Sequence, residues 1–139
     1  MSETRITVLA SRELLQQVCA LLEPFRDDAV LIGGWVPEIR FPNAGYVGTI
    51  DVDFATRLSA EGHRQVVALL LQNGFRAGAE PYQFVKNMTV GGRSYAVRLD
   101  LLTSRRHHQA VFGDKVQSPH PAAGADLALL LLGGFRSLA

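Results

Sequence analysis

Asp51 and Asp53 stand two residues apart in Thr49-Ile-Asp-Val-Asp-Phe-Ala55, a stretch in which apolar and acidic residues alternate. In a strand, successive side chains point to opposite faces, so both carboxylates share one face while Ile50, Val52 and Phe54 point into the core. Two adjacent carboxylates repel and raise each other's pKa unless positive charge sits between them. A divalent metal relieves that repulsion, and Mg²⁺ favours one or two carboxylates completed by substrate phosphates and water. A third acid has a similar setting. In Tyr95-Ala-Val-Arg-Leu-Asp-Leu-Leu102, Val97, Leu99 and Leu101 alternate with Arg98 and Asp100. An Asp near the end of an otherwise apolar strand is costly to leave unpaired. If the two strands are neighbours, Asp51, Asp53 and Asp100 form a carboxylate cluster. Such a cluster can hold two metals about 3.5–4 Å apart and support in-line phosphoryl displacement. Taken singly, each element has a plainer reading: Asp51 and Asp53 as a solvated strand face, Asp100 as a structural acid paired with Arg98.

Upstream, Gly33-Gly34 follows the short apolar run Ala29-Val-Leu-Ile32. Flexible backbone before a helical turn offers free amide groups that can cradle phosphate oxygens. A Gly-Gly pair or an Asp-x-Asp pair alone is a weak signal; the ordered set, Gly-Gly, then Asp-x-Asp, then a later strand Asp, is much more specific.

On these residues the chain resembles the nucleotidyltransferase superfamily (DNA polymerase beta-like nucleotidyltransferase fold). The segments that carry the resemblance are Leu31-Ile-Gly-Gly-Trp-Val-Pro-Glu-Ile39, Gly48-Thr-Ile-Asp-Val-Asp-Phe54 and Val97-Arg-Leu-Asp-Leu-Leu102, within roughly Ala29 to Thr103. The wording is most similar to the abortive-infection toxin-like branch, which brings toxin–antitoxin systems into view. The resemblance implies transfer of a nucleoside monophosphate from an NTP, ATP first among them, to an acceptor hydroxyl or amine, with Mg²⁺ or Mn²⁺ as cofactor. It implies that Asp51 and Asp53 hold both metals and that Asp100 helps bind the metal that activates the acceptor. Gly33 and Gly34 would contact the triphosphate, and Thr49 would add a phosphate or metal-water hydrogen bond. Relatives are usually longer, with a C-terminal helical region that grips base and acceptor. The resemblance therefore implies a chain lacking most of that region, whose missing wall a partner subunit could replace through the apolar run Leu127–Leu132.

The elements that must position these residues can be read from the same chain. Ser11 reads as a helix cap before an apolar stripe of Leu14, Leu15, Val18, Cys19, Leu21 and Leu22, with Pro24 marking the end. Ala29–Ile32 reads as a buried strand, and Trp35 to Arg40 as the start of a short helix. Phe41 to Gly48 reads as a loop. Ala60 to Gln72 reads as a helix stopped by Asn73-Gly74. Tyr82–Val90 and Ser94–Thr103 read as strands joined through Gly91-Gly92-Arg93, a hairpin signal. Arg105 to Ser118 reads as irregular, and Pro121 to Leu132 as a last apolar helix ended near Gly133-Gly134. The expected fold is a single α/β (α+β) domain over residues 1–139, a mixed β-sheet flanked by helices, nucleotidyltransferase-like.

Composition narrows the partners. With 47% hydrophobic and 19% charged residues the chain can fill a core. Fourteen basic and thirteen acidic residues nearly cancel, so charge gives nucleic-acid binding no support, though a tRNA acceptor stays open. The single Cys19 cannot form an internal disulfide, reads as a core cysteine, and suits a reducing compartment. The N-terminus shows no signal-peptide pattern, and Leu127–Leu132 is far shorter than the roughly 20 residues that span a bilayer, so a cytoplasmic protein with no membrane partner is expected.

Other residues receive plainer readings. Trp35 reads as a core anchor rather than a base-stacking platform. His107-His108 with Arg105 and Arg106 suggests a metal or phosphate patch but lacks zinc-ligand spacing, and a solvated loop is the simpler account. Lys86, Arg93 and Arg98 are cations able to neutralise phosphates and otherwise fit solvated strand positions; His63 and His120 have no recognisable partner. No Ser-His-Asp arrangement and no G-x-x-x-x-G-K-[ST] loop is present. Two rival functions remain beside nucleotidyl transfer: a non-catalytic binding or assembly module that keeps the fold, dimeric or toxin–antitoxin related, and a hydrolytic or phosphoryl-transfer enzyme using the same carboxylates.

Overall fold

A computed structural model describes residues 3–32 and 51–138, with side chains from 9 to 32 and from 51 to 130. The expected Gly-Gly turn, the short helix at Trp35–Arg40, the loop to Gly48 and Thr49 lie outside the described residues, as does Trp35.

Helix α1 spans Glu3–Leu21 and is followed by a 3₁₀ turn over Glu23–Asp28 with Pro24 in its opening positions. Strand β1 is Ala29–Ile32 and β2 is Asp51–Thr56. Helix α2, Ala60–Gln72, leads into the two-residue strand β3, Arg76–Ala77, then β4, Gln83–Val90, and β5, Arg93–Thr103. One α-helical turn, α3 (Arg105–His107), continues as a π-helical turn over His108–Phe112. Strand β6 (His120–Pro121) and helix α4 (Ala123–Leu138) close the order.

Local chemistry explains most of these bounds. Ser59 caps α2, its hydroxyl accepting from the Gly62 amide at 3.0 Å. Asn73 ends it, and Gly74 follows with φ +89°, a conformation that favours glycine. Gly91 and Gly92 both have positive φ, the requirement of the tight hairpin turn whose twist suits β4 and β5. Five expectations are corrected. Ser11 is not the cap of α1 but a buried position inside it, because Ala10, Leu14, Val18 and Leu22 continue one stripe at four-residue spacing. Cys19, one residue and about 100° round from Val18, falls on the exposed side rather than in the core. Helix α4 runs through Gly133-Gly134 instead of stopping there. Residues 105–112 are helical rather than irregular, with Ser104 capping α3 and Phe112 buried as the anchor. Strand β1, at the edge of the sheet, is half-buried along its length rather than buried.

The sheet is mixed, as expected, with order β1-β2-β5-β4-β3; β6 pairs with the end of β5, beyond the point where β4 has stopped. Strands β2 and β5 run parallel, and β1–β2, β4–β5 and β3–β4 are antiparallel. One face carries Val52, Phe54, Val97, Leu99 and Leu101, which pack with Leu14 and Val18 of α1 and Val66 and Leu70 of α2. The other face carries Ala55 and Leu102, packed with Val30 and Ile32 of β1 and with Ala125 and Leu129 of α4. At the join of β2 and β5, Thr103 Oγ1 donates to Thr56 O at 2.6 Å and Thr56 Oγ1 to Leu102 O at 3.4 Å, a buried clamp on their register. Among the described residues no helix is long and apolar enough to cross a membrane.

Candidate functional site

The parallel pairing of β2 and β5 sets Asp51 opposite Arg98 and Asp53 opposite Asp100. Paired residues on neighbouring strands project to the same face. The three carboxylates and Arg98 thus occupy the α4 side of the sheet, where the same rows continue into Ala55 and Leu102 under that helix. The alternation that buries Val52, Phe54, Leu99 and Leu101 on one face is what delivers the acids to the other. Sequence alternation left open whether the two acidic strands are neighbours; the structure pairs them directly.

Arg98 lies between the acids. Its Nη2 donates to Asp51 Oδ2 at 3.3 Å, and its Nε stands 3.1 Å from Asp100 Oδ1. The second contact is a close ion pair without good hydrogen-bond alignment, so Oδ1 of Asp100 is buried with no well-directed donor. Asp100 is only 8% exposed, and its carboxyl is pushed up to about 6. Burial is the main cause; Arg98 opposes it, and Asp53 and Asp51 reinforce it. Asp53, half-buried, is also shifted upward, by burial first and by Asp51 second, with Arg98 again opposing. Among the described residues Arg98 is the cation that offsets these acids, and Asp53 and Asp100 stay shifted upward despite it.

That remaining shift tests whether the residues suit a cation. A buried carboxylate oxygen without an aligned donor, and two carboxyls held above their ordinary range, are what hard oxygen ligands for a divalent ion show when charge is insufficient. Among the described residues no group of three or more His, Cys, Asp or Glu side chains stands close enough to hold a metal ion as placed. The donor types fit Mg²⁺ or Mn²⁺, and Arg98 occupies part of the charge-neutralising role. Gly33, Gly34 and Thr49, the other predicted nucleotide contacts, lie outside the described residues.

Two features escaped sequence reasoning. His63 is buried in α2 with neither ring nitrogen hydrogen-bonded among the described residues, edge-on to Phe112 with centroids 5.3 Å apart, and burial lowers its pKa to about 4. Its position three residues before buried Val66 is the signal that could have marked it as core. The second is a cleft of about 740 Å³ lined by Arg57, Ser104, Arg105, Arg106, His107, Ala110, Asp126, Leu129 and Leu130. It gathers Arg57 from beyond β2, the first residues of the segment that sequence periodicity left irregular, and Asp126, Leu129 and Leu130 of α4. Comparison with protein-family models and with curated proteins found no match to this chain.

Proposed function

We propose that this chain is a metal-dependent nucleotidyltransferase-like domain that transfers a nucleoside monophosphate from an NTP, with ATP the first to test, to an acceptor hydroxyl or amine. The observation that supports this reading most is the β2–β5 register, which sets Asp53 opposite Asp100 beside Asp51 on one face with a deficit of positive charge. Asp51, Asp53 and Asp100 would hold Mg²⁺ or Mn²⁺, which when bound polarises phosphoryl oxygens and eases deprotonation of the acceptor. Asp100 would help bind the metal that activates the acceptor. The acceptor oxygen or nitrogen forms a bond to the α-phosphorus, the Pα–O bond to the β-phosphate breaks, and pyrophosphate leaves. Arg98, which pairs with Asp51 and Asp100, would be available to neutralise the phosphates. Gly33, Gly34 and Thr49 complete the nucleotide contacts in this reading, and a cytoplasmic setting accompanies it.

Calorimetric titration of Mg²⁺ with a non-hydrolysable ATP analogue tests it on the wild type and on Asp51→Asn/Asp53→Asn. Metal-dependent binding that disappears in the folded double variant is expected. Equal binding by both would end this assignment. Release of phosphate in place of pyrophosphate from ATP would move the same carboxylates to hydrolysis or γ-phosphoryl transfer.

One observation favours a second reading, a non-catalytic module that retains the fold: Arg98 already bridges Asp51 and Asp100. The exposed Leu127 and Leu130 of α4 would then serve self-association through the C-terminal helix. A protein that stays monomeric at high concentration and turns over ATP removes this alternative.

A further inference from the structure

The cleft between α3 and the first turns of α4 combines cationic and apolar side chains. Three arginines and a histidine stand over an apolar floor of Ala110, Leu129 and Leu130. Its volume, about 740 Å³, suits a small organic ligand. Arg57 is held by Asp28 (Nε to Oδ1, 3.1 Å) and by the Asp27 carbonyl (Nη2, 3.0 Å). Arg105 is held by Asp126, which accepts from its Nε at 2.8 Å and lies 2.6 Å from its Nη2. Both are fixed in place and each keeps guanidinium N–H groups beyond those bonds. Arg106 makes no ion pair or hydrogen bond among the described residues. His107 donates from Nε2 to the Leu58 carbonyl at 2.6 Å, since a carbonyl can only accept, and this anchors the cleft wall to the end of β2.

Two arginines oriented by carboxylates and a third left uncompensated make an anion site in which the floor selects for an apolar body. The donors come from three separate guanidinium groups. A carboxylate has two oxygens and matches one guanidinium fork, whereas a phosphate monoester presents three and can accept from all three groups. We propose that this cleft binds a small phosphate monoester with an apolar or aromatic body, the phosphate against Arg106 with Arg57 and Arg105, the body over Leu129 and Leu130. Arg57 lies four residues beyond Asp53 and Ser104 four beyond Asp100, roughly 13 Å along the strands at strand rise. The cleft thus lies on the α4 side of the sheet with the carboxylates but is displaced from them along the strands, and the proposal does not depend on nucleotidyl transfer.

Phenyl phosphate, inorganic phosphate, benzoate and phenol, titrated into ¹⁵N-labelled protein, provide the test. Phenyl phosphate is expected to give saturable amide shifts confined to residues 104–110 and 126–130, and to bind more tightly than each of the other three. Arg106→Gln, an exposed substitution, should keep the wild-type spectrum and weaken phenyl phosphate at least tenfold. Leu130→Ser should narrow the gap between phenyl phosphate and inorganic phosphate. Asp51→Asn/Asp53→Asn should bind phenyl phosphate as the wild type does, so failure at the carboxylates and failure here are read separately. The proposal is overturned by the absence of saturable shifts at those residues in folded protein, by unchanged binding in Arg106→Gln, by benzoate binding as tightly as phenyl phosphate, or by loss of binding in the carboxylate variant.

Discussion

The two faces of the sheet are made from the same two strands and behave oppositely. Val52, Phe54, Leu99 and Leu101 enter a core shared with α1 and α2, and each is at most 5% exposed. One residue away along each strand, Asp51, Asp53, Arg98 and Asp100 face the other way, where among the described residues the Arg98 guanidinium lies between the acids. The first face holds the fold together; the second draws on that stability to keep like charges adjacent. Strand alternation allows both to coexist without either intruding on the other.

The largest expected effect lies on the apolar face. Leu99→Ala removes a fully buried side chain from the centre of β5 and should lower unfolding free energy by about 2–5 kcal/mol, measured by urea denaturation. A loss under about 1 kcal/mol would mean that this face does not carry the fold.

The pH dependence of stability separates the charged face from buried His63. Asp100 has a folded pKa of about 6, above its ordinary 3.8, so the folded state binds the extra proton and stability falls as pH rises from about 4 to about 6. His63 has a folded pKa of about 4, below its ordinary 6.5, so its contribution rises with pH over about 4 to 6.5. The two slopes oppose each other in the wild type. The stability advantage of Asp100→Asn over wild type should grow from pH 4 to pH 6, and that of His63→Leu should be greatest at pH 4 and fade by pH 7. Each swing is on the order of 2 kcal/mol. Parallel profiles for the two variants would refute this division of roles.

A smaller effect sharpens the charge argument. Arg98→Met leaves the acids without their shared cation and should cost about 1–2 kcal/mol at pH 8, a modest figure because Arg98 and Asp51 are partly exposed. The cost should shrink at pH 5, where Asp100 is protonated, and Mg²⁺ should recover part of it at pH 8 in thermal unfolding. An equal cost at both pH values would show that Arg98 acts by packing instead of charge.

Sequence patterns anticipated the polar face well because it rests on short-range rules. Period-two alternation around Asp51 and Asp100 assigned both strands, Gly91-Gly92 placed the hairpin, and Asn73-Gly74 marked the end of α2, whereas the Ser59 cap emerged only from the structure. Which strand lies beside which is a long-range fact that alternation leaves open; the β2–β5 pairing became visible only in the structure. Cys19 was misplaced because Leu15, Val18 and Leu22 nearby drew it toward the core while its own angle on the helix sends it out. The turn at 105–112 was hidden because a run of Arg and His shows no period, although Phe112 is buried at its end. Gly133-Gly134 predicted an end to α4 that propensity favours and the backbone overrides.

Strand β5 pairs with β4 across a turn of two residues but with β2 across nearly fifty. Local pairing closes quickly and distant parallel pairing waits for the loop between to be organised. The β4–β5 hairpin can therefore form while Asp100 is still far from Asp53, so that the candidate site comes into being at a late stage of folding. Pulsed hydrogen exchange during refolding should find amides of β4 and β5 protected before those of β2; the reverse order would contradict it. The carboxylates would meet only after the chain around them is set, which spares the nascent hairpin their repulsion.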